Sequence, residues 1–181
     1  STYVTGSASF DANLAPGDYG LAIKFINDEH YADYDNTVLF TVPKLTTTID
    51  IAVENITYGN NATFTITLNK DVGNASVSVV KVGDPDNFET VALTNGTATI
   101  NKGKLDAYDW IITVKALDDK YEECTINTTF KVSQAVPEMT IVVGQVELFK
   151  DIKVNVTVKD YKGEVELEFD GNLVDTVAVS N

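Results

Sequence analysis

Arginine is absent from this sequence, and histidine, cysteine, tryptophan and methionine occur once each. These absences remove whole classes of function. With 27 acidic residues against 13 lysines, the 181-residue chain carries a net charge of −14. Such a surface repels polyanions and lacks the side chain on which base reading usually leans. Nucleic acid and anionic membranes are therefore poor partners. The lone Cys124 cannot build an internal disulfide framework, so each folding unit must be held by packing alone. The lone His30 sits in the turn signal Asp28-Glu29-His30-Tyr31, and its counterpart elsewhere in the chain falls near Lys120. A base exchanged for lysine between copies is not a shared catalytic device, and no catalytic residue is assigned. No apolar run has the length of a membrane span, and there is no signal peptide or basic tail. Ser1 falls inside a repeat, so the chain reads as a piece of a longer array, and a missing targeting segment then carries no information.

What the sequence does have is a repeat. Shifted by 90 positions, its two ends fall onto its middle. Gly6-Ser7-Ala8-Ser9-Phe10 overlays Gly96-Thr97-Ala98-Thr99-Ile100, and residues 36–42 (NTVLFTV) overlay residues 126–132 (INTTFKV). On the other side Ile141, Val143, Val154, Val156 and Val158 overlay Ile51, Val53, Phe64, Ile66 and Leu68. A period of this length marks an array of small domains. Prolines Pro43 and Pro137 lie in connector-like stretches at 42–48 and 133–138. The organisation expected is therefore the C-terminal half of a repeat at 1–42, a complete repeat at 43–133 and the N-terminal half of the next at 134–181.

Alternation sets the fold class. Ala62-Thr63-Phe64-Thr65-Ile66-Thr67-Leu68 places threonine and apolar residues on opposite faces, the pattern of a half-buried strand. Comparable segments lie at 48–53, 75–82, 90–93, 97–100, 110–116 and 125–132. Turn residues separate them, including the hairpin signal Asn95-Gly96. Seven short strands without a helical period predict an all-β chain of tandem immunoglobulin-like sandwiches. In the first copy, Leu14-Ala15-Pro16-Gly17-Asp18-Tyr19 takes the place of residues 105–110 one position out of register, which makes Tyr19 the counterpart of Trp110. The terminal halves are complementary, so the C-terminal half of one molecule is matched to complete the N-terminal half of the next, head to tail.

Binding chemistry is sparse. Asp84, Asp86 and Asn87 offer oxygens to a calcium ion without matching a known calcium loop, and a solvated acidic face is the plainer reading of all the acidic clusters. Tyr31, Tyr34, Tyr121 and Tyr161 are the loop-proximal aromatics that a sugar platform would need. No lysine, asparagine and carboxyl trio stands out for an intramolecular isopeptide bond. Sequons begin at Asn55, Asn61, Asn74, Asn95, Asn127 and Asn155, six in all, against about two or three from chance at this composition.

The stretches VENITYGNNATFTITL (53–68), Asn95-Gly96-Thr97-Ala98-Thr99 and Leu14-Ala15-Pro16-Gly17-Asp18-Tyr19 resemble the tandem repeats of archaeal, especially methanogen, adhesin-like surface proteins. Those repeats are similar to bacterial immunoglobulin-like domains of invasin type. The resemblance implies extracellular display at the cell surface as a stalk, adhesin or filament subunit. Its partners would be neighbouring repeats, other copies of the chain, or surface glycans and proteins. It brings no catalytic residues. The alternative class is a carbohydrate- or calcium-binding module. If the sequons are used, the mass of protein from its native host will exceed that of the bare polypeptide and fall to it on deglycosylation; equal masses before and after would discard them as modification sites.

Overall fold

The computed structural model describes residues 9–26 and 29–179, and every regular element among them is a strand. The chain divides into two compact units, Ser1–Ser133 and Gln134–Asn181. The first opens with β1 (Gly17–Phe25) and β2 (Tyr34–Val42), an antiparallel pair. Eight strands follow: β3 (Ile49–Ala52), β4 (Ile56–Thr57), β5 (Asn61–Leu68), β6 (Asn74–Lys81), β7 (Phe88–Ala92), β8 (Thr97–Lys104), β9 (Asp109–Ala116) and β10 (Thr125–Ser133). They form two sheets, ordered β3-β5-β8 and β4-β10-β9-β6-β7.

The core lies between these sheets and is written by alternation. On β5, Ala62, Phe64, Ile66 and Leu68 are buried while Thr63 and Thr67 face solvent. Facing them from the second sheet are Ala75 and Val77 of β6, Ile112 and Val114 of β9, and Phe130 and Val132 of β10. Removing each large side chain from water contributes about 1.5–3 kcal/mol. With no disulfide in this unit, that burial is what opposes chain entropy. The outcome is an all-β sandwich.

Three local features differ from the sequence expectation. First, the strand expected at 48–53 forms as β3, but a crossing that the alternation does not announce follows it. After β3 pairs with β5, the chain crosses to the other sheet, where β4 runs parallel to β10. Asn55 bridges the crossing: its Oδ1 accepts a hydrogen bond from the Lys131 N–H at 2.7 Å, satisfying an edge donor before the β4 ladder begins. Second, Asn95 and Gly96 form a tight turn with φ of 50° and 75°, and Thr94 and Thr97 exchange two backbone bonds of 3.0 Å. The flanking strands nevertheless do not continue as a hairpin. β7 and β8 belong to opposite sheets, because Val91 and Leu93 on one side, and Ala98 and Ile100 on the other, pack on the core from opposing faces. Third, the stretch 43–48 is no free connector. Leu45 N–H donates to Lys120 O (2.8 Å), Glu122 N–H donates to Leu45 O (2.9 Å), the Thr47 hydroxyl donates to Glu122 O, and Thr48 N–H donates to Asn69 Oδ1 (2.8 Å).

The second unit contains β11 (Met139–Val143) paired antiparallel with β12 (Val154–Val158), and β13 (Gly163–Phe169) paired antiparallel with β14 (Asn172–Val179). Asp170 and Gly171, with φ of 48° and 77°, make the two-residue turn between β13 and β14.

Gly96 is where the sandwich depends on a missing side chain. A Cβ there would lie 2.4 Å from Asn69 O and 2.6 Å from Leu68 O, and Gly96 O accepts from Leu68 N–H at 2.7 Å. Gly59 also has positive φ (97°), but open space where its Cβ would sit. Gly59→Ala therefore measures backbone strain of about 1 kcal/mol. Gly96→Ala adds a backbone collision and is expected to lower the denaturant midpoint clearly further; equal midpoints for the two variants would refute the close approach.

Candidate assembly interface

Strand register relates the ends to the middle. In the central sandwich β9 meets β10 with Trp110 opposite Phe130, Ile112 opposite Thr128 and Val114 opposite Ile126. In the N-terminal pair Tyr19 is opposite Phe40, Leu21 opposite Val38 and Ile23 opposite Asn36. The two ladders share one register. Even the aromatic tether is repeated: Trp110 Nε1–H donates to Asp106 O (3.0 Å), and the Tyr19 hydroxyl donates to Ala15 O (2.7 Å), each four residues back. Tyr19 also stacks on Phe40, with ring centroids 5.7 Å apart.

The strand pairs of the C-terminal unit can be set beside the remaining ladders of the central sandwich. β6 meets β7 with Asn74 opposite Ala92, Ala75 opposite Val91 and Val77 opposite Glu89. β13 meets β14 with Glu164 opposite Ala178, Val165 opposite Val177 and Leu167 opposite Asp175. β11 meets β12 with Ile141 opposite Val156, as β3 meets β5 with Ile51 opposite Ile66.

What separates the copies is burial. Ile112 is fully buried, whereas its counterpart Leu21 is 51% exposed; Phe130 is 4% exposed and its counterpart Phe40 40%. In the second unit Phe169 is 67% exposed, and Ile141, Val143 and Val177 are also exposed. Each pair of strands presents an apolar face of the kind that the central copy covers with its opposite sheet. Edges are open as well. β6 and β9 pair with each other in the centre, but their counterparts β13 and β1 each carry only one neighbour among the described residues. Uncovered apolar faces and unpaired edges are the ordinary marks of an interaction surface.

The sequence-derived candidates fall elsewhere. All six sequon asparagines are exposed. Asn61 and Asn74 open β5 and β6, Asn95 occupies the tight turn, Asn55 lies in the crossing between β3 and β4, and Asn127 and Asn155 lie within β10 and β12. Asp84 and Asp86 are exposed in the loop after β6, where Asn87 N–H donates to the buried Ser78 Oγ at 2.9 Å. Among the described residues no three His, Cys, Asp or Glu side chains converge. His30 is exposed, and Cys124 is half-buried just before β10. The Gly6–Phe10 overlay lies mostly outside the described residues; within it, Phe10 is 93% exposed.

The four tyrosines do not share a role. Tyr31 and Tyr34 are exposed, while Tyr161 is half-buried and donates its hydroxyl proton to Glu164 O at 3.0 Å. Tyr121 is a core residue, 5% exposed, which removes it from any sugar platform. Its ring belongs to the core cluster, and its hydroxyl donates to Asp71 Oδ1. Alternation could not reveal this, because Tyr121 stands in a turn rather than a strand.

Compared with known proteins, the chain matches no protein-family model and no curated protein.

The Tyr121–Asp71 bond titrates. The hydrogen bond from Tyr121 holds the Asp71 carboxyl below its usual range, and the same bond, with burial, pushes the Tyr121 hydroxyl up to about 12. A raised folded pKa stabilises fully below the unfolded value of about 10 and fades as pH rises through the folded one. Asp71 behaves oppositely: its contribution stands above the unfolded value of about 3.9 and is lost as pH falls through the depressed folded value. The melting temperature of the native protein should therefore exceed that of Tyr121→Phe near neutrality, with the gap closing between about pH 10 and 12. A gap unchanged across that window would rule the bond out as a stabilising contact.

Proposed function

We propose that this chain is an extracellular, surface-displayed stalk or filament module of adhesin type, built from tandem immunoglobulin-like sandwiches whose terminal halves are completed by matching halves of neighbouring repeats or other copies. The observation that carries this reading is the shared register of the halves with the central copy, combined with the exposure of the faces that the central copy buries. A half-sandwich with a water-facing apolar side gains most of the stability of a whole one when its complement docks. The division of strands between β3-β5-β8 and β4-β10-β9-β6-β7 supports the immunoglobulin-like assignment.

Other features agree with display outside a cell. The acidic surface opposes non-specific association. All six sequons occupy exposed positions where a glycan has room to project. The repeats themselves provide length rather than a cleft, and no catalytic role is assigned.

Joining unlike halves is a heterologous contact, which propagates into a linear chain unless it closes into a ring. Light scattering of the pure protein over a wide concentration range is expected to give a mass that grows with concentration, and negative-stain images are expected to show beaded filaments. A monomer of constant mass at every concentration would falsify completion by copies of the chain.

A further inference from the structure

We propose that the open edge of β1 in one molecule pairs antiparallel with the open edge of β13 in a second copy, in the register that sets Lys24 opposite Glu166. This deepens the proposed function and rests on its premise that other copies complete the terminal halves.

The template is inside the chain. In the central sandwich β6 and β9 run antiparallel with Ser76 opposite Lys115, Val77 opposite Val114 and Val79 opposite Ile112. The ladders of the terminal halves identify the counterparts. Ile23 holds the place of Val114, and Leu21 that of Ile112, because their partners on β2 match those on β10. Leu167 holds the place of Val77, because Asp175 opposite it matches Glu89. Carrying the central register across places Leu167 against Ile23 and Phe169 against Leu21. All four side chains are exposed in the isolated halves, and all four would face the new core. One position along, on the outer face, Glu166 meets Lys24.

Charge selects the same partner. Lys24 is the only lysine before Lys44, and on a chain of net charge −14 two copies approach against repulsion. The outer face of β13 carries Glu164, Glu166 and Glu168 at alternate positions. The proposed register centres the one cation of the N-terminal half among these three carboxylates, and opposite charges directly across a strand pair are favourable. A slip of one residue would turn glutamates toward the core and is excluded by the pleat. A slip of two keeps the faces and an opposite-charge pair, so it is the alternative that an experiment must separate.

Disulfide trapping separates it. In a Cys124→Ser background, which leaves no other thiol, Lys24→Cys combined with Glu166→Cys places two cysteines directly opposite across the joint. The comparison chain combines Lys24→Cys with Glu168→Cys, a displacement of about 7 Å along the strand, beyond disulfide reach. After mild oxidation, non-reducing gels are expected to show a ladder of head-to-tail multimers for the matched pair, about tenfold stronger than for the displaced pair. Comparable ladders from both pairs, or a stronger one from the displaced pair, overturn the register. A cross-linked monomer overturns the second copy as occupant. Growing mass in light scattering without a matched ladder overturns this joint while leaving assembly by copies standing. A concentration-independent monomer without ladders overturns both.

Discussion

A sheet with one apolar face needs another sheet over it. Along this chain the constraint is met in some places and not in others. In the central sandwich it is met internally. Phe64, Ile66 and Leu68 of β5 lie against Ile112, Val114 and Phe130 of the opposite sheet, and none is more than 4% exposed. The terminal halves carry the same alternation and the same ladders, yet Leu21, Ile23, Phe40, Ile141 and Phe169 remain in contact with water. The strands form because their sequence alternates and their turns are well specified. The sandwich forms only where both halves are present. Local structure and tertiary closure are thus separated along one polypeptide: strands pair along most of the described residues, while two sheets close over a core between β3 and β10.

Legibility in the sequence tracked the range of the interaction. The strand at residues 62–68 could be read from its seven alternating positions, and the all-β class from seven such segments without a helical period. The equivalence of Tyr19 and Trp110, spaced one residue off the simple period, is mirrored by their matching tethers to Ala15 O and Asp106 O. Asn95-Gly96 announced its turn correctly, with both residues at positive φ. What the dipeptide cannot announce is whether its flanks stay together, because that is decided by which side of a distant core each apolar face meets. The crossing between β3 and β4 was hidden for the same reason: it depends on Lys131, 76 residues beyond Asn55. Tyr121 looked like a loop aromatic and is a core residue bonded to Asp71, 50 residues away. The likeness of the chain's ends to its middle was legible as a period near 90, whereas the register of their strand pairs needed the ladders.

The copies also show how tolerant the architecture is of its loops. In the centre, β6 is followed by a loop whose Asn87 N–H caps Ser78, and Ser78 is buried beneath it. In the second unit the Asp170-Gly171 turn replaces that loop, and Glu168 takes the position equivalent to Ser78 and is exposed. The exchange is coherent. Where a loop covers the outer face a small hydroxyl suits the site, and where the turn is short a carboxylate can reach water.

The parallel pairing of β4 with β10 has a mechanical meaning. The two paired stretches lie near the entrance and exit of the central sandwich, with Ile56 beside Val132 and Thr57 beside Ser133. Their cross-links are the Tyr58 N–H to Ser133 O bond at 2.8 Å and the Lys131 N–H to Asn55 Oδ1 bond at 2.7 Å. Tension applied at the two ends of the sandwich draws parallel strands past each other in opposite directions. Bonds perpendicular to that pull are loaded in shear and share the force, whereas an antiparallel hairpin pulled from its open end would surrender its bonds one by one. Traction from Ser133 therefore loads this clasp first, whereas traction from the N-terminal side first loads the bonds of residues 45–48 and the β3–β5 ladder.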